Sequence, residues 1–334
     1  MTDPDPGHVP VLLAECLRLL DPKPGETAID LTAGRGGHAI EFARRLQGSQ
    51  RLILLDVDLG NLAFASERVA RQFGHPPVSM AGSFARVEEL LGGGSVAADV
   101  VLADLGFSST QMDDPSRGLS FSGDGPLDMR LDPRAGVTAA DLVASLPEAE
   151  LARIIHDFGE EPLARRIARK LVETRGNEPI TSTARLARLV REAYGPRARS
   201  SRLHPATRTF MALRIAVNDE LGALRSLLQA IERAAERLAR PEGGGSTWLR
   251  PGARVGIISF HSLEDRLVKR AFADMSRRGL VTPVTRKPTA PTEREAAANP
   301  RSRSAKLRVV AIGGPADPDR HPHRTFDDLP EELP

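Results

Sequence analysis

The sequence predicts an α/β fold: a mostly parallel sheet with helices on both faces, interrupted after its fourth strand by an all-helical module. Three observations carry this. Apolar runs of strand length alternate with stretches of helical periodicity through the first hundred residues, the pattern of a parallel sheet linked by crossover helices. The first run opens into a glycine-dense turn, Gly34-Arg35-Gly36-Gly37, as strands of such sheets do where they meet a nucleotide-type ligand. From residue 138 to about 218 the text is helical, and strand text returns only at 254.

Strands are expected at 27–31, 51–56, 77–81 and 99–103, with helical periodicity between them, as at 61–73. The fourth run, Ala98-Asp99-Val100-Val101-Leu102-Ala103-Asp104, is apolar almost throughout, as a strand covered on both faces requires. Beyond Gln111 a loop rich in Asp, Ser and Gly runs to Asp124-Gly125-Pro126-Leu127-Asp128-Met129-Arg130; loops of that length are usually functional. The helical module reads as 139–145 capped by Thr138, then 147–158, 163–174 and 182–194, punctuated by Pro179, Gly195 and Pro196. His204-Pro205 marks the start of a further helix through Leu213. Strands resume at 254–260, 280–284 and 307–312, behind a surface loop at Gly243-Gly244-Gly245-Ser246. The chain therefore divides into a discontinuous sheet domain (1–112 and 219–313), a loop plus helical insertion (113–218), and an acidic, flexible tail (314–334).

Composition narrows the function classes. With 334 residues and 40% hydrophobic content the chain can build a large core, and 4% aromatics makes that core mainly aliphatic. No apolar run reaches membrane-spanning length, and the acidic start Met1-Thr2-Asp3-Pro4-Asp5-Pro6 has no signal-peptide character. The single cysteine, Cys16, excludes an internal disulfide and fits a reducing compartment, so a cytoplasmic protein is expected. The net charge of +2 hides segregation: residues 266–308 carry twelve Lys/Arg against three Asp/Glu, and 176–203 six Arg against two Glu. Two separated basic segments point to a polyanionic partner, although a solvated helix face explains any one such run.

The chemistry begins at the glycine turn. Gly34, Gly36 and Gly37 let backbone approach a ligand closely, and Asp56 ends the next strand twenty positions after Gly36, where a ribose hydroxyl needs an acceptor. An adenosine-containing cofactor follows. The turn alone leaves NAD and S-adenosylmethionine both open, since Gly34-x-Gly36-x-x-Ala39 satisfies the dinucleotide fingerprint. After strand four comes Asp104-Leu105-Gly106-Phe107-Ser108-Ser109. The exocyclic amine of a base is a poor nucleophile, because its lone pair is delocalised into the ring. An enzyme that methylates it must hold its N–H groups so that the lone pair turns toward the methyl donor. Asp104 with the Leu105 or Gly106 carbonyls can accept those bonds and Phe107 can stack on the ring, a spacing that resembles the Asp-Pro-Pro-Tyr motif of DNA amino-methyltransferases. A helix cap or strand-end acid is the plainer alternative for Asp104. His261 beside Ser259, Ser262 and Asp265 suggests a hydrolase triad, but without a nucleophile elbow it reads as a strand-terminal turn, or as a residue near substrate. The histidines show no metal-ligand spacing, and no metal is expected.

Taken together, the motifs resemble the MraW/RsmH family of bacterial rRNA small-subunit methyltransferases. The resemblance spans residues 7–313. It rests on His8-Val9-Pro10-Val11-Leu12-Leu13, Gly36-Gly37-His38, Asp104 through Gln111, Arg117-Gly118-Leu119-Ser120-Phe121 and the loop 124–130. Farther on it rests on His204-Pro205-Ala206-Thr207-Arg208-Thr209-Phe210, Ser259 through Asp265, and Asn299-Pro300-Arg301-Ser302-Arg303-Ser304. It implies a class I, Rossmann-like fold that uses S-adenosylmethionine to methylate N4 of a cytidine in the decoding region of 16S rRNA, within the small ribosomal subunit. It implies cofactor contacts at Gly36, Gly37, His38, Asp56, Phe84, Asp104 and Gln111, with Asp56 on the ribose, Phe84 facing the adenine, and Asp104 and Gln111 near the methionine end. Asp104 and Phe107 are the candidate catalytic residues; Arg208, Arg214, Arg301 and Arg303 are candidate RNA contacts. The chain departs from the family at Ala39, Ser83 and Met211, and at Phe107, where a small aliphatic residue is usual. An NAD-linked oxidoreductase would have no use for the strand-four motif or the basic segments. A non-catalytic RNA-binding factor would be favoured by decay of Gly36, Asp56 or Asp104, and all three are intact.

Overall fold

The computed structural model describes residues 10–134, 136–199, 204–240 and 246–313. His8, Gly243 to Gly245 and the acidic tail lie outside the described residues. One seven-stranded sheet dominates: β1 Ala28–Asp30, β2 Leu52–Asp56, β3 Val78–Ala81, β4 Ala98–Asp104, β5 Leu249–Ser259, β6 Val281–Pro283 and β7 Lys306–Ile312. Its order is β3-β2-β1-β4-β5-β7-β6. The pairs among β1 to β5 are parallel, whereas β7 runs antiparallel to both β5 and β6.

Strand alternation sorts the core into two layers, because successive side chains of a strand face opposite sides. Ile53, Leu55, Val101 and Ala103 face one side with the helix Glu220–Leu238 and Trp248; Leu52, Leu54, Val100 and Leu102 face the other with Phe42 of the helix Gly37–Leu46. A third cluster lies in the helical insertion, where Ile155, Ile167, Leu186 and Phe210 from four helices meet Leu127 and Met129 of the long loop.

The structure differs from the sequence expectation at β5 and in two helices. β5 starts five residues earlier than its apolar run, at Leu249. Its pairing shifts between Ala98 and Val100, so residues 250–253 face a single residue of β4. That irregularity accommodates Pro251 and Gly252, residues that read as a turn. Arg254, where the expected strand begins, turns its guanidinium out of the sheet to Glu26 at 2.6 and 2.9 Å and to the Leu20 carbonyl at 2.8 Å. The helices Leu13–Leu20 and Glu220–Leu238 are absent from the sequence assignment. The second buries Leu221, Leu224, Leu228, Ile231 and Ala235 on one face, an amphipathic stripe. β3 is an exposed edge strand, with Val78 47% accessible. No helix among the described residues is long and apolar enough to cross a membrane.

The insertion is tied to the sheet by a few polar joints. Asp58, just past β2, caps the helix Leu59–Phe73 by accepting from Gly60 and Asn61. Its other oxygen accepts from Gln111 Nε2 at 3.0 Å and Arg117 Nη2 at 2.5 Å. The same Arg117 nitrogen reaches the Leu131 carbonyl at 2.9 Å. Asn218, the last residue of the helix Ala206–Asn218, donates to the Met129 carbonyl and accepts from Leu131 N–H, at 2.8 and 2.7 Å. This holds Met129 in a left-handed conformation, φ 66°. Arg117→Ala removes both guanidinium contacts from a largely buried pair. It is expected to lower stability by on the order of 1.5–3 kcal/mol in urea denaturation, with earlier proteolytic cleavage in residues 114–131; an unchanged denaturation midpoint would show the joint to be dispensable.

Candidate active site

The strand order reverses between β1 and β4, and in open α/β sheets the crevice beyond the strand ends opens at such a reversal. A cavity of about 560 Å³ lies there, reached by residues following β1, β2, β3, β4 and β5 and closed on its far side by the insertion. Each sequence-predicted residue can be placed in it or outside it.

Gly34, φ +50°, lines the cavity. Gly36, φ +76°, does not: a Cβ there would stand 3.1 Å from Ala65 Cα, so this glycine lets the turn pack on the neighbouring helix. Gly37 lines the cavity under Pro10, whose Cγ a Cβ would meet at 2.4 Å. Asp56 accepts Gly34 N–H on Oδ2 and Asp58 N–H on Oδ1, both at 2.8 Å. It ties the glycine turn to β2 and lines the cavity. Burial pushes its pKa up to about 6 against those backbone donors. Phe84 lines the cavity from the short turn after β3, which Ser83 caps by accepting from Ala85 N–H at 3.2 Å.

At the end of β4 the Asp104 N–H donates to Thr32 Oγ1 at 2.7 Å, locking that strand end to the β1 loop. Asp104 Oδ2 stands 3.6 Å from His38 Nε2. Asp104 Oδ1 and both His38 ring nitrogens are buried without a hydrogen-bond partner. Buried polar atoms are seldom left so, and these flank a cavity. Asp30 lies in the same neighbourhood, fully buried; burial raises its pKa to about 6, with His38 and the Thr32 N–H acting in the opposite direction. Gln111 lines the cavity with its amide already engaged, its oxygen accepting from Ser108 N–H at 2.8 Å and its nitrogen donating to Asp58.

Phe107 lines the cavity, but the Arg214 guanidinium covers its ring at 4.7 Å from the centroid. The expected stacking residue therefore has one face occupied. Arg214, expected to touch phosphate, is not open to one in this structure. Its side chain is 15% exposed and pairs in a fork with Glu220 at 2.7 and 2.9 Å. Burial works against its charge, and Glu220 overrides this and holds its pKa above the ordinary guanidinium value. Arg208 is on the surface, donating to the Glu160 carbonyl at 3.1 Å. Arg301 lies at the cavity rim with its guanidinium on Asp113 at 2.6 Å, and Arg303 is exposed.

The sequence did not disclose the far wall, which includes Asn218, Glu220, Phe260 and Glu264. Glu220 has no role in the sequence analysis, and Glu264 enters it only within the Ser259–Asp265 motif. Only the fold places them opposite the glycine turn, within one cluster with His261.

A sheet of order 3-2-1-4-5-7-6 with an antiparallel β7, a glycine turn after β1 and acids ending β2 and β4 defines a Rossmann-like, class I methyltransferase framework. The profile of the MraW methylase family matches residues 5–312. Curated relatives named ribosomal RNA small subunit methyltransferase H include those of Symbiobacterium thermophilum, 44% identical over 91% of this chain and 96% of the relative, and of Acidobacterium capsulatum, 45% identical over 91% and 97%. The relative of Heliobacterium modesticaldum is 41% identical over 91% and 97%. Among solved structures, a methyltransferase homologue from Pyrococcus horikoshii matches 93% of this chain and 70% of its own at 12% identity and a TM-score of 0.41, too distant to add to this. The chain belongs to the MraW methylase family.

The two raised carboxyls set a pH dependence of stability. In the unfolded chain they release protons near pH 4, whereas folded Asp30 and Asp56 release them near 6. Between those values the folded state binds more protons, so their contribution to stability falls as pH rises and the penalty is complete above about pH 6. Asp30→Asn keeps the acceptor for Thr32 N–H and removes the charge. It is expected to raise stability at pH 7.5 by up to roughly 3 kcal/mol and to change it little at pH 4. Equal shifts at both pH values in denaturant titrations would sink this account.

Proposed function

We propose that this protein uses S-adenosylmethionine to methylate N4 of a cytidine in the decoding region of 16S rRNA, acting in the cytoplasm on the small ribosomal subunit. The observation that carries the reading is the orphaned Asp104 carboxylate oxygen beside His38, in the same cavity as Asp56 and the glycine turn. The relatives' names, which specify small-subunit rRNA, support the choice of substrate.

The residues fit such a cofactor. Asp56 would accept from the ribose hydroxyls through its remaining lone pairs, Phe84 would face the adenine, and Asp104 with His38 would lie toward the methionine end. When bound, the cofactor supplies an electrophilic methyl group on a sulfonium. The protein's part is to present the amine. Thr32 fixes the Asp104 backbone through its N–H, and the carboxylate that projects from this strand end would accept an amine N–H. The insertion, residues 113–218, would present the RNA, with Arg208, Arg301 and Arg303 available at its edges and at the cavity rim.

Titration calorimetry is expected to show binding of S-adenosylmethionine and its demethylated product and none of NAD; the reverse pattern overturns the proposal. Asp104→Asn places an N–H donor where the amine needs an acceptor. Single-turnover methyl transfer at saturating cofactor and RNA is expected to slow by roughly 10²–10⁴; a wild-type rate would reduce Asp104 to a strand-end residue. Replacing Arg301 and Arg303 by Ala is expected to lower the salt dependence of RNA binding by roughly 1–2 log units per log unit of salt, with cofactor affinity unchanged. An unaltered slope would leave both as ordinary surface charges.

A further inference from the structure

The cavity wall opposite the glycine turn holds a charged cluster that the reading above leaves unused. Glu220 and Glu264 line the cavity with side chains 9% and 4% exposed. Their carboxylates and a His261 ring nitrogen lie within 4.8 Å of one another. Each carboxylate is fixed from behind. Arg214 holds Glu220 in its fork, and Glu264 Oε2 accepts from the Phe260 and His261 N–H groups at 2.8 and 3.4 Å. Glu264 Oε1 stands 3.2 Å from His261 Nε2. The His261 side chain is nine-tenths buried, and neither ring nitrogen has a hydrogen-bond partner. Burying two carboxylates this close together is costly, and both of them line the cavity, whereas the His261 ring packs beside Glu264 without lining it.

The cluster adjoins the reacting end of the cavity. Asp104 is paired with Ile258 in the sheet, and Leu105 N–H donates to the Ile258 carbonyl at 3.0 Å. The segment Leu105-Gly106-Phe107 therefore runs beside Phe260-His261, and a Cβ on Gly106 would stand 3.9 Å from the Phe260 ring. A cation is a poor occupant, because the Arg214 guanidinium already compensates Glu220. A neutral group rich in N–H donors suits fixed carboxylates flanked by a cation. The exocyclic amine of a base has two N–H bonds, and both need acceptors if its lone pair is to turn outward.

We infer that Glu264, with Glu220 beside it, reads the amino group of the target base and thereby selects an amino-bearing base over its oxo counterpart. The assignment rests on the amino-methylation reading. A carboxylate offers only acceptors, so it bonds the amine of cytosine and repels the O4 carbonyl of uracil. His261 is a positioning residue that backs Glu264.

The experiment uses the full chain with its demethylated cofactor and two RNAs of one sequence. Mass mapping of small-subunit rRNA methylated by the wild-type enzyme gives the target position, which carries the amino base in one RNA and its oxo counterpart in the other. Competition binding then reads the amino-over-oxo preference. In Glu264→Gln the amide oxygen stays on the two backbone N–H groups, so the NH₂ takes the place of Oε1 and puts a donor where the wild type has an acceptor. The preference is expected to fall about 10- to 100-fold or to invert, while affinity for the demethylated cofactor holds. Glu220→Gln is expected to reduce the preference in the same sense and carries the test if Glu264→Gln does not fold.

Wild-type preference retained in a folded variant overturns the assignment, as does a wild-type protein that binds both RNAs equally. So does tight one-site binding of Mg²⁺ or Zn²⁺ that Glu264→Gln abolishes. If the mapped base is adenine, inosine supplies the oxo counterpart; the cytosine reading then fails while the preference is still measured.

Discussion

The reversal of strand order between β1 and β4 is the constraint from which the site follows. Helices leaving the two halves of the sheet diverge there, and the strand ends are left facing a crevice rather than a packed helix. Acids end β1, β2 and β4, at Asp30, Asp56 and Asp104. Each handles its desolvation differently. Asp56 takes two backbone N–H bonds, Asp30 has a single N–H bond and the nearby imidazole, and Asp104 keeps one oxygen without a partner. Parallel strands bring these carboxylates to one end of the sheet, where the carboxylate oxygen left without a hydrogen-bond partner belongs to Asp104.

A second consequence is that the cavity cannot be finished by the sheet alone. Its far wall comes from the helical insertion and from the first turns of the helices Glu220–Leu238 and Ser262–Arg277. Asp58 links the two sides. It is two residues from the acid that holds the glycine turn, yet its carboxylate receives Gln111 and Arg117 from beyond β4. Asn218 does the reverse, gripping the long loop two residues before Glu220. A shift of the loop is thereby felt at both walls, because the same hydrogen bonds that order it are anchored at the wall residues' neighbours.

The near wall was legible in the sequence because its signals are local. A strand, a glycine turn and an acid at fixed spacing describe one βαβ unit, and the strand-four motif describes one strand end. The far wall was not legible, because Glu220 and Glu264 are forty-four positions apart and their meeting depends on how two helices dock. Gly36 shows the opposite limit: its spacing marks the turn, but its missing Cβ serves packing against Ala65 rather than the cavity surface. Arg214 lies within a chain of frequent arginines, and nothing local distinguishes a buried guanidinium forked to Glu220 from a solvated one. β5 was shortened in the sequence assignment because Pro251 and Gly252 look like a terminus until a shifted partner strand accommodates them.

Phe107 joins the two walls. It follows the strand-four acid, and the charge stacked on its ring is the guanidinium that holds Glu220. A small aliphatic side chain at this position would leave the Arg214 head without that aromatic face and closer to solvent, weakening the compensation of a buried carboxylate. The ring thus acts on the site through Arg214 as much as through any base it touches. Its one covered face also limits how a planar ligand can lie, since only the edge and the opposite face remain. The aromatic residue that the sequence motif suggested as a stacking platform is, in the folded protein, part of the support for the acceptor wall. Strand-end motif and insertion therefore form one electrostatic unit, in which Arg214 is shared by both.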